Sequence, residues 1–285
     1  IRRGWNGLIH GDIIKMDASS VSRTINRGGT ILYTARSKEF MTEEGQKRAV
    51  STCKFLGLDS IIALGGDGTF LSASKMVGGR DIPVMGVNMG RLGFLSENRA
   101  ADVAGAILTG DYTIENRAML QTEAVTGDAG IDSWPYALNE IAVHRRGAAM
   151  LGVDVTIDGI SLPTYWSDGL LVSTSSGSTA YSLSVGGPIV LPEARVLIIA
   201  PIAPHNLNVR PLIVTDSAVI RIRLLSRDET VVLTADNRTV EVSAATELCI
   251  SLAQFSLKRV QLNRSNFIKA LTEKLFWGED VRNVK

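Results

Sequence analysis

Cysteine is scarce, with only Cys53 and Cys249 in 285 residues, and the two fall in separate patterns. That excludes a disulfide framework and gives no thiolate metal cluster. Histidine is nearly absent as well: His10, His144 and His205 are scattered, which offers no metal-ligand spacing. Net charge is missing, with 30 Lys and Arg against 29 Asp and Glu for a sum of +1. A balanced surface lacks the field that binds DNA, RNA or an anionic membrane. No apolar run approaches the roughly 20 residues of a membrane helix, and no signal-peptide pattern is found, so a cytoplasmic protein is expected. Repeats and low-complexity segments are also lacking. What the chain does have is a 45% hydrophobic fraction and a length that suits two domains.

The first third alternates between β and α patterns. ILYTA at 31–35 reads as a strand after the Gly28-Gly29 turn. Thr42 followed by Glu43 and Glu44 predicts a capped helix start, with Ala49, Cys53 and Leu56 on one face and Gly57 at its end. Ser60 to Leu64 is a short continuous apolar run, the pattern of a buried parallel strand, and Ile82 to Val87 is a second. Strand, glycine turn, helix and strand imply a βαβ unit and a parallel sheet. After about residue 115 the period changes to two. Val153, Val155 and Ile157 alternate with polar residues before the hairpin signal Asp158-Gly159. Ile220, Ile222 and Leu224 alternate with Arg221 and Arg223, and Leu248, Ile250 and Leu252 repeat the pattern. The expected architecture is an α/β N-terminal domain over 1–115 with a parallel sheet, and an all-β second domain over 116–264. A helical C-terminal segment, 265–285, is expected to return to the first domain.

Five stretches carry candidate chemistry. In GGDGT, residues 65–69, glycines let backbone N–H groups approach a phosphate at the end of a strand. Asp67 does not suit a simple anion cradle; it fits a hydroxyl, a ribose or a metal, while a purely structural turn stands at even odds. NMGRLGFL, 88–95, offers Arg91 to phosphate and Phe94 to a base, or else one exposed Arg and one core Phe. Asn139 and Glu140 point to opposite faces if they lie within a strand, so both reach one ligand only at a strand end or bulge; taken alone they read as an edge-strand pair facing water. Residues 165–190 gather Asp168, a Ser173–Thr179 hydroxyl cluster around Gly177, Tyr181 and Ser184 between apolar runs, a set suited to a nucleoside. His205, between prolines, reads as a packing or interface residue.

Taken in order, GGDGTFL, NMGRLGFL, LNEIAV, DGLLVSTSSGSTAYSLSVGGPIV and PIAPHNLNVRPL resemble the NAD kinase family from about residue 61 to the C-terminus. The resemblance implies a transferase that uses ATP and Mg²⁺ to phosphorylate the 2′-hydroxyl of NAD's adenosine ribose, yielding NADP. It implies Asp67 as the central carboxylate, Gly66 and Gly68 near phosphate, Phe94 near adenine, and Asn139 and Glu140 on ribose hydroxyls. Asp168, Ser176, Thr179, Ala180, Tyr181 and Ser184 would line the dinucleotide pocket, partly across the subunit boundary of a homodimer or homotetramer. No metal would be fixed by the protein alone, the Mg²⁺ arriving with ATP near Asp67. Two departures stand out: Thr174-Ser175-Ser176-Gly177 where many relatives read TPTG, and Asp236-Asn237-Arg238 where many read DGQ, with Asn expected to take the left-handed turn. About residues 1–72, including TARSKEF with Arg36, resemble ATP-dependent 6-phosphofructokinase instead, without that family's SGGDxxGMN and TIDND stretches. The two families share the GGDG turn, so the chain reads as a chimera, natural or built. A nucleotide-binding hybrid with little turnover is the alternative to an active kinase.

Overall fold

The computed structural model describes residues 3, 5–15, 37–39, 42–55, 57, 59–89, 93–126, 135–263 and 266–275. The strand expected at 31–35, Arg36 and Arg91 lie outside them. The chain divides into two compact units, Ile1–Ile61 and Ile62–Lys285.

In the first unit, helices Trp5–His10 and Glu43–Phe55 lie against each other. The longer one starts as its sequence requires: Thr42 Oγ1 accepts the Gly45 N–H at 3.1 Å, satisfying a donor that the helix leaves free. Glu44 and Arg48 form an i,i+4 ion pair at 2.8 Å on its exposed face.

The second unit holds three sheets. The first has the order Ile61–Leu64, Val84–Asn88, Leu257–Leu262, Tyr112–Arg117, with the short strand Asn98–Arg99 also on Val84–Asn88. It is mixed rather than wholly parallel. Leu257–Leu262 runs parallel to Val84–Asn88, but Tyr112–Arg117 runs antiparallel to Leu257–Leu262. The middle position is thus taken by a strand from the far end of the chain, and the local βαβ pattern extends only as far as Val84–Asn88. Helix Asp67–Val77 covers this sheet, and its Phe70 is fully buried. Gly86 is required there, because a Cβ would sit 2.9 Å from the Phe70 ring and from the Leu95 carbonyl. Arg259 of the central strand is 2% exposed, and its guanidinium meets Glu97 at 3.5 Å and Glu115 at 3.3 Å. Such a charge is tolerable inside only when paired.

The other two sheets are antiparallel and face each other. One has seven strands, among them Leu120–Thr126, Leu151–Ile157, Ile220–Leu225 and Glu247–Leu252. The other has six, ordered Leu212–Thr215, Val196–Ile202, Gly169–Thr174, Glu140–His144, Thr230–Ala235, Arg238–Ser243. Their inner faces share one core that includes Val153, Ile220 and Ile250 from the first, and Ile141, Leu170 and Leu233 from the second. Burial alternates along Ile220–Leu225, so Arg221 and Arg223 face water as a period of two dictates. The Asp158-Gly159 hairpin has both residues at positive φ, 49° and 85°, which matches the twist of its strands. In the Asp236-Asn237 turn the left-handed residue is Asp236, φ 51°, not Asn237. Asp tolerates that region for the same reason Asn does, and its side chain there has another task.

Candidate functional site

Strand Ile61–Leu64 passes through Gly65 and Gly66 into the first turn of helix Asp67–Val77. A Cβ on Gly66 or Gly68 would meet no protein atom within 4 Å, and neither residue has positive φ. Neither glycine is therefore demanded by the fold. They leave bare, exposed backbone with room for a group to approach.

Asp67 is tied down. Its Oδ2 accepts the Phe94 N–H at 2.8 Å, and its Oδ1 accepts those of Leu95 and Ser96 at 3.0 and 2.9 Å. A carboxylate offers about four lone-pair positions, so about one is left for anything else. The fit also explains Gly93: a Cβ there would overlap the Asp67 carboxylate. Gly93→Ala should therefore release at least one of these amide bonds, destabilising the protein by about 2–3 kcal/mol. Urea unfolding of the variant checks it, and unchanged stability would disprove the crowding.

A second aspartate does the same job in the six-stranded sheet. Asp236 accepts the N–H groups of Leu138 at 2.9 Å, Asn139 at 2.7 Å and Glu140 at 3.4 Å. This fixes Asn139 just before the strand Glu140–His144, at a strand end, which lets both neighbours serve one site. Asn139 Oδ1 and Glu140 Oε2 are buried with no hydrogen-bond partner, and so is Ser176 Oγ. Burial, together with the nearby Asp236, pushes the Glu140 carboxyl up to about 8, against the lowering effect of the Tyr181 backbone N–H. At neutral pH it holds its proton. Asp236 is raised too, chiefly by burial, with the three amides and Arg238 working the other way.

The central strand Gly169–Thr174 leads into a 3-10 turn, Ser176–Thr179, and a short helix, Tyr181–Ser184. Gly177 is sterically required: a Cβ would clash with the Asn139 carbonyl and Ser173 Oγ. Thr174 Oγ1 accepts the Gly177 N–H at 3.1 Å and donates to the Leu138 carbonyl at 2.6 Å, so the hydroxyl cluster is locked to the Asn139-Glu140 segment. The Tyr181 ring stacks on His144, centroids 5.7 Å apart, and burial with Glu140 and Asp168 raises its phenol. Asp168 pairs with Arg145 at 2.6 Å. A cavity of about 240 Å³ is lined by Phe94, Ser176, Thr179, Arg117, Arg259 and Phe267 among others. Phe94 thus lines the same cavity as Ser176 and Thr179 of the hydroxyl cluster, while Asp67 and Glu140 lie outside that lining. Ala180 is half-buried between the turn and the helix; Ser184 and His205 are exposed.

The structure therefore brings Asn139, Glu140, Ser176 and Tyr181 together, sets Thr179 and Phe94 in the lining of one cavity, and hangs Asp67 on the Phe94 loop. Reasoning from sequence missed Asp236, which it noted only as a turn, and Arg145 and His144, which follow the Asn139-Glu140 strand directly. Nothing in the sequence marks Asp236 for this task, because its carboxylate binds amides of residues 138–140 and not those of its own turn.

Open glycine backbone at a helix start, an anchored carboxylate and the buried, unpartnered Asn139, Glu140 and Ser176 oxygens are the kinds of group that suit a nucleotide. Residues 138–262 match the family model for the ATP-NAD kinase C-terminal domain, and residues 1–90 match the phosphofructokinase family. The chain is 39% identical over 229 residues to an NAD kinase of Flavobacterium psychrophilum, covering 79% of this chain and 78% of that one. It is 39% identical over 267 residues to an NAD kinase of Porphyromonas gingivalis, covering 90% and 91%. Among solved structures, yeast NADH kinase complexed with NADH superposes with a TM-score of 0.74 at 28% identity, over 89% of this chain and 72% of that one. An NAD kinase from Archaeoglobus fulgidus in complex with ATP gives 0.65 at 26% identity, over 82% and 96%. The chain belongs to the NAD kinase family.

Proposed function

We propose that this protein is an ATP-dependent NAD kinase that phosphorylates the 2′-hydroxyl of the adenosine ribose of NAD. The observation that carries this is that two neighbouring residues each bury an unpartnered oxygen, Asn139 Oδ1 and Glu140 Oε2. Leaving such atoms without partners costs about 1–3 kcal/mol each, and a vicinal diol is a chemically matched partner for both. With its proton on, Glu140 donates to a ribose oxygen; with the proton off, it accepts from a hydroxyl. Phe94 offers a ring face for adenine, and Ser176, Thr179, Ala180, Tyr181, Asp168 and Ser184 complete the dinucleotide side.

In the reaction the ribose 2′-oxygen bonds to the terminal phosphorus, the bond to the bridging oxygen breaks, ADP leaves with that electron pair, and the hydroxyl proton is released. Asp67, with one lone-pair position left, accepts the hydrogen bond of the attacking hydroxyl and so aims its oxygen. The backbone at Gly66 and Gly68 receives the phosphates. Mg²⁺ would come with the triphosphate, near Asp67. When bound, it neutralises phosphate charge.

The test is NADP formation from NAD, ATP and Mg²⁺; no product above an enzyme-free blank overturns the reading. A second prediction separates binding from folding. Gly68→Ala, in open space within a helix, should leave stability unchanged or raise it by about 0.5–1 kcal/mol. It should nonetheless raise the KM for ATP at least tenfold; an unchanged KM would remove Gly68 from the phosphate site. Among the described residues no helix is long and apolar enough to cross a membrane. We also assign the C-terminal segment to the first domain and a homodimeric or homotetrameric state, testable by light scattering.

A second reading, a hybrid that binds nucleotide with little turnover, rests on the phosphofructokinase match over residues 1–90. Calorimetry showing NAD binding without NADP formation would favour it.

A further inference from the structure

Lys274 lies on the last turn of the C-terminal helix Phe267–Leu275, about 180 residues downstream of the loop that grips Asp67. Its side chain is only 5% exposed. Its ammonium donates to the Gly93 carbonyl. The same nitrogen stands 4.7 Å from the centre of the Phe94 ring and 3.9 Å from the Glu97 carboxylate. Phe267, one end of the same helix, packs against Phe94 with ring centroids 6.1 Å apart. Burial lowers the ammonium's affinity for its proton, and Glu97 and Asp67 act to restore it. A lysine placed this deep needs a carbonyl, a carboxylate or a ring face at each side, and here it has all three.

These contacts converge on one loop. Gly93 is the residue whose Cα faces the Asp67 carboxylate, and the next three residues supply the amides that hold that carboxylate. The loop therefore carries an outward handle, the Gly93 carbonyl, and an inward grip, the amides of 94–96. Lys274 holds the handle. We propose that Lys274 is a positioning residue for phosphoryl transfer: it latches the 93–97 loop so that the loop's amides set Asp67 and its Phe94 ring lines the same cavity as the hydroxyl cluster. The inference rests on the kinase reading of the site. A displacement of about 1 Å at the reacting groups costs on the order of 100-fold in rate, so a latch one step removed from the chemistry has leverage.

Lys274→Met keeps the apolar stem and removes the charge. In this variant kcat should fall at least tenfold, while the KM for ATP stays within twofold because Gly66 and Gly68 lie outside the latched loop. Lys274→Cys, in a chain with Cys53→Ser and Cys249→Ser, adds a chemical control. Aminoethylation with 2-bromoethylamine restores an ammonium at nearly the original reach and should recover at least a third of the parent kcat. Carbamidomethylation of the same thiol fills the space without the charge and should recover nothing. An unchanged kcat in Lys274→Met, or equal recovery with the two reagents, overturns the inference. If Lys274→Met does not fold, the two alkylated forms decide the matter alone, with thermal unfolding confirming that both are native. The unsubstituted chain assayed in parallel keeps the two readings apart: no NADP from it defeats the kinase reading, whereas activity there with an indifferent Lys274 defeats only the latch.

Discussion

Replacing Asp67 by alanine is expected to reduce NADP formation by about 10³-fold or more, in line with the 10²–10⁴ typical of a positioned acid–base group. Two losses combine. The hydroxyl acceptor disappears, and so do three charge-assisted bonds to the Phe94, Leu95 and Ser96 amides. Leu95 and Ser96 are buried, so their freed amides are left without an acceptor, and at about 1–3 kcal/mol each the stability cost is about 2–6 kcal/mol. Asn is no remedy. It keeps one oxygen but turns an NH₂ donor toward a backbone N–H, so at least one amide loses its acceptor. Asp67→Asn should therefore show the same loop release, read as faster hydrogen exchange at residues 94–96, together with at least a hundredfold drop in activity. An Asp67→Ala variant that stays within tenfold of the parent would mean that the carboxylate only organises the loop.

The second large effect concerns pH. Glu140 sits at about 8 in the folded protein against an ordinary value of 4.5, so the native state binds its proton more tightly than the unfolded chain does. Between those two values the native state holds more protons, and stability must fall as pH rises. Below about 4.5 the contribution is complete; above about 8 it is gone. Each unit is worth about 1.4 kcal/mol, so the loss across the window is on the order of 3–5 kcal/mol. Glu140→Gln removes the titration while keeping the shape. Denaturant unfolding at pH 5, 6, 7 and 8 should show the parent losing stability relative to Glu140→Gln by that amount. The buried Asp236 reinforces the trend, since two neighbouring carboxylates titrate as a pair. Parallel stability curves for the two proteins would refute the assignment.

Particular residues show what a sequence can convey. The run before Gly65 read as a buried strand because its neighbours punctuate it; it is a strand, but Ile62 and Leu64 are exposed and of its four residues only Ala63 is buried, since an apolar run does not say how many of its faces are covered. The alternation of Ile220, Ile222 and Leu224 with arginines forced one face inward. Leu257–Leu262 was harder. Its pattern marks a strand, but nothing in LKRVQL says that it inserts between strands that begin at residues 84 and 112. Pairing across such a distance is decided by tertiary packing, and only Glu97 and Glu115 make the burial of Arg259 intelligible. Asp67 read as a carboxylate out of place beside phosphate, whereas Asn139 and Glu140 alone read as a pair facing water and are in fact buried. Their supports were not legible, because Asp67 and Asp236 bind backbone N–H groups, which every residue but proline carries and no sequence pattern marks.

The boundary at residue 61 leaves Asp67 and its supports on one side. Every described group that secures Asp67, from the amides of 94–96 to Lys274, belongs to the unit that follows that boundary. The grip on this carboxylate is therefore a property of that unit by itself, and substitutions confined to the first sixty residues leave each of these hydrogen bonds its donor and its acceptor.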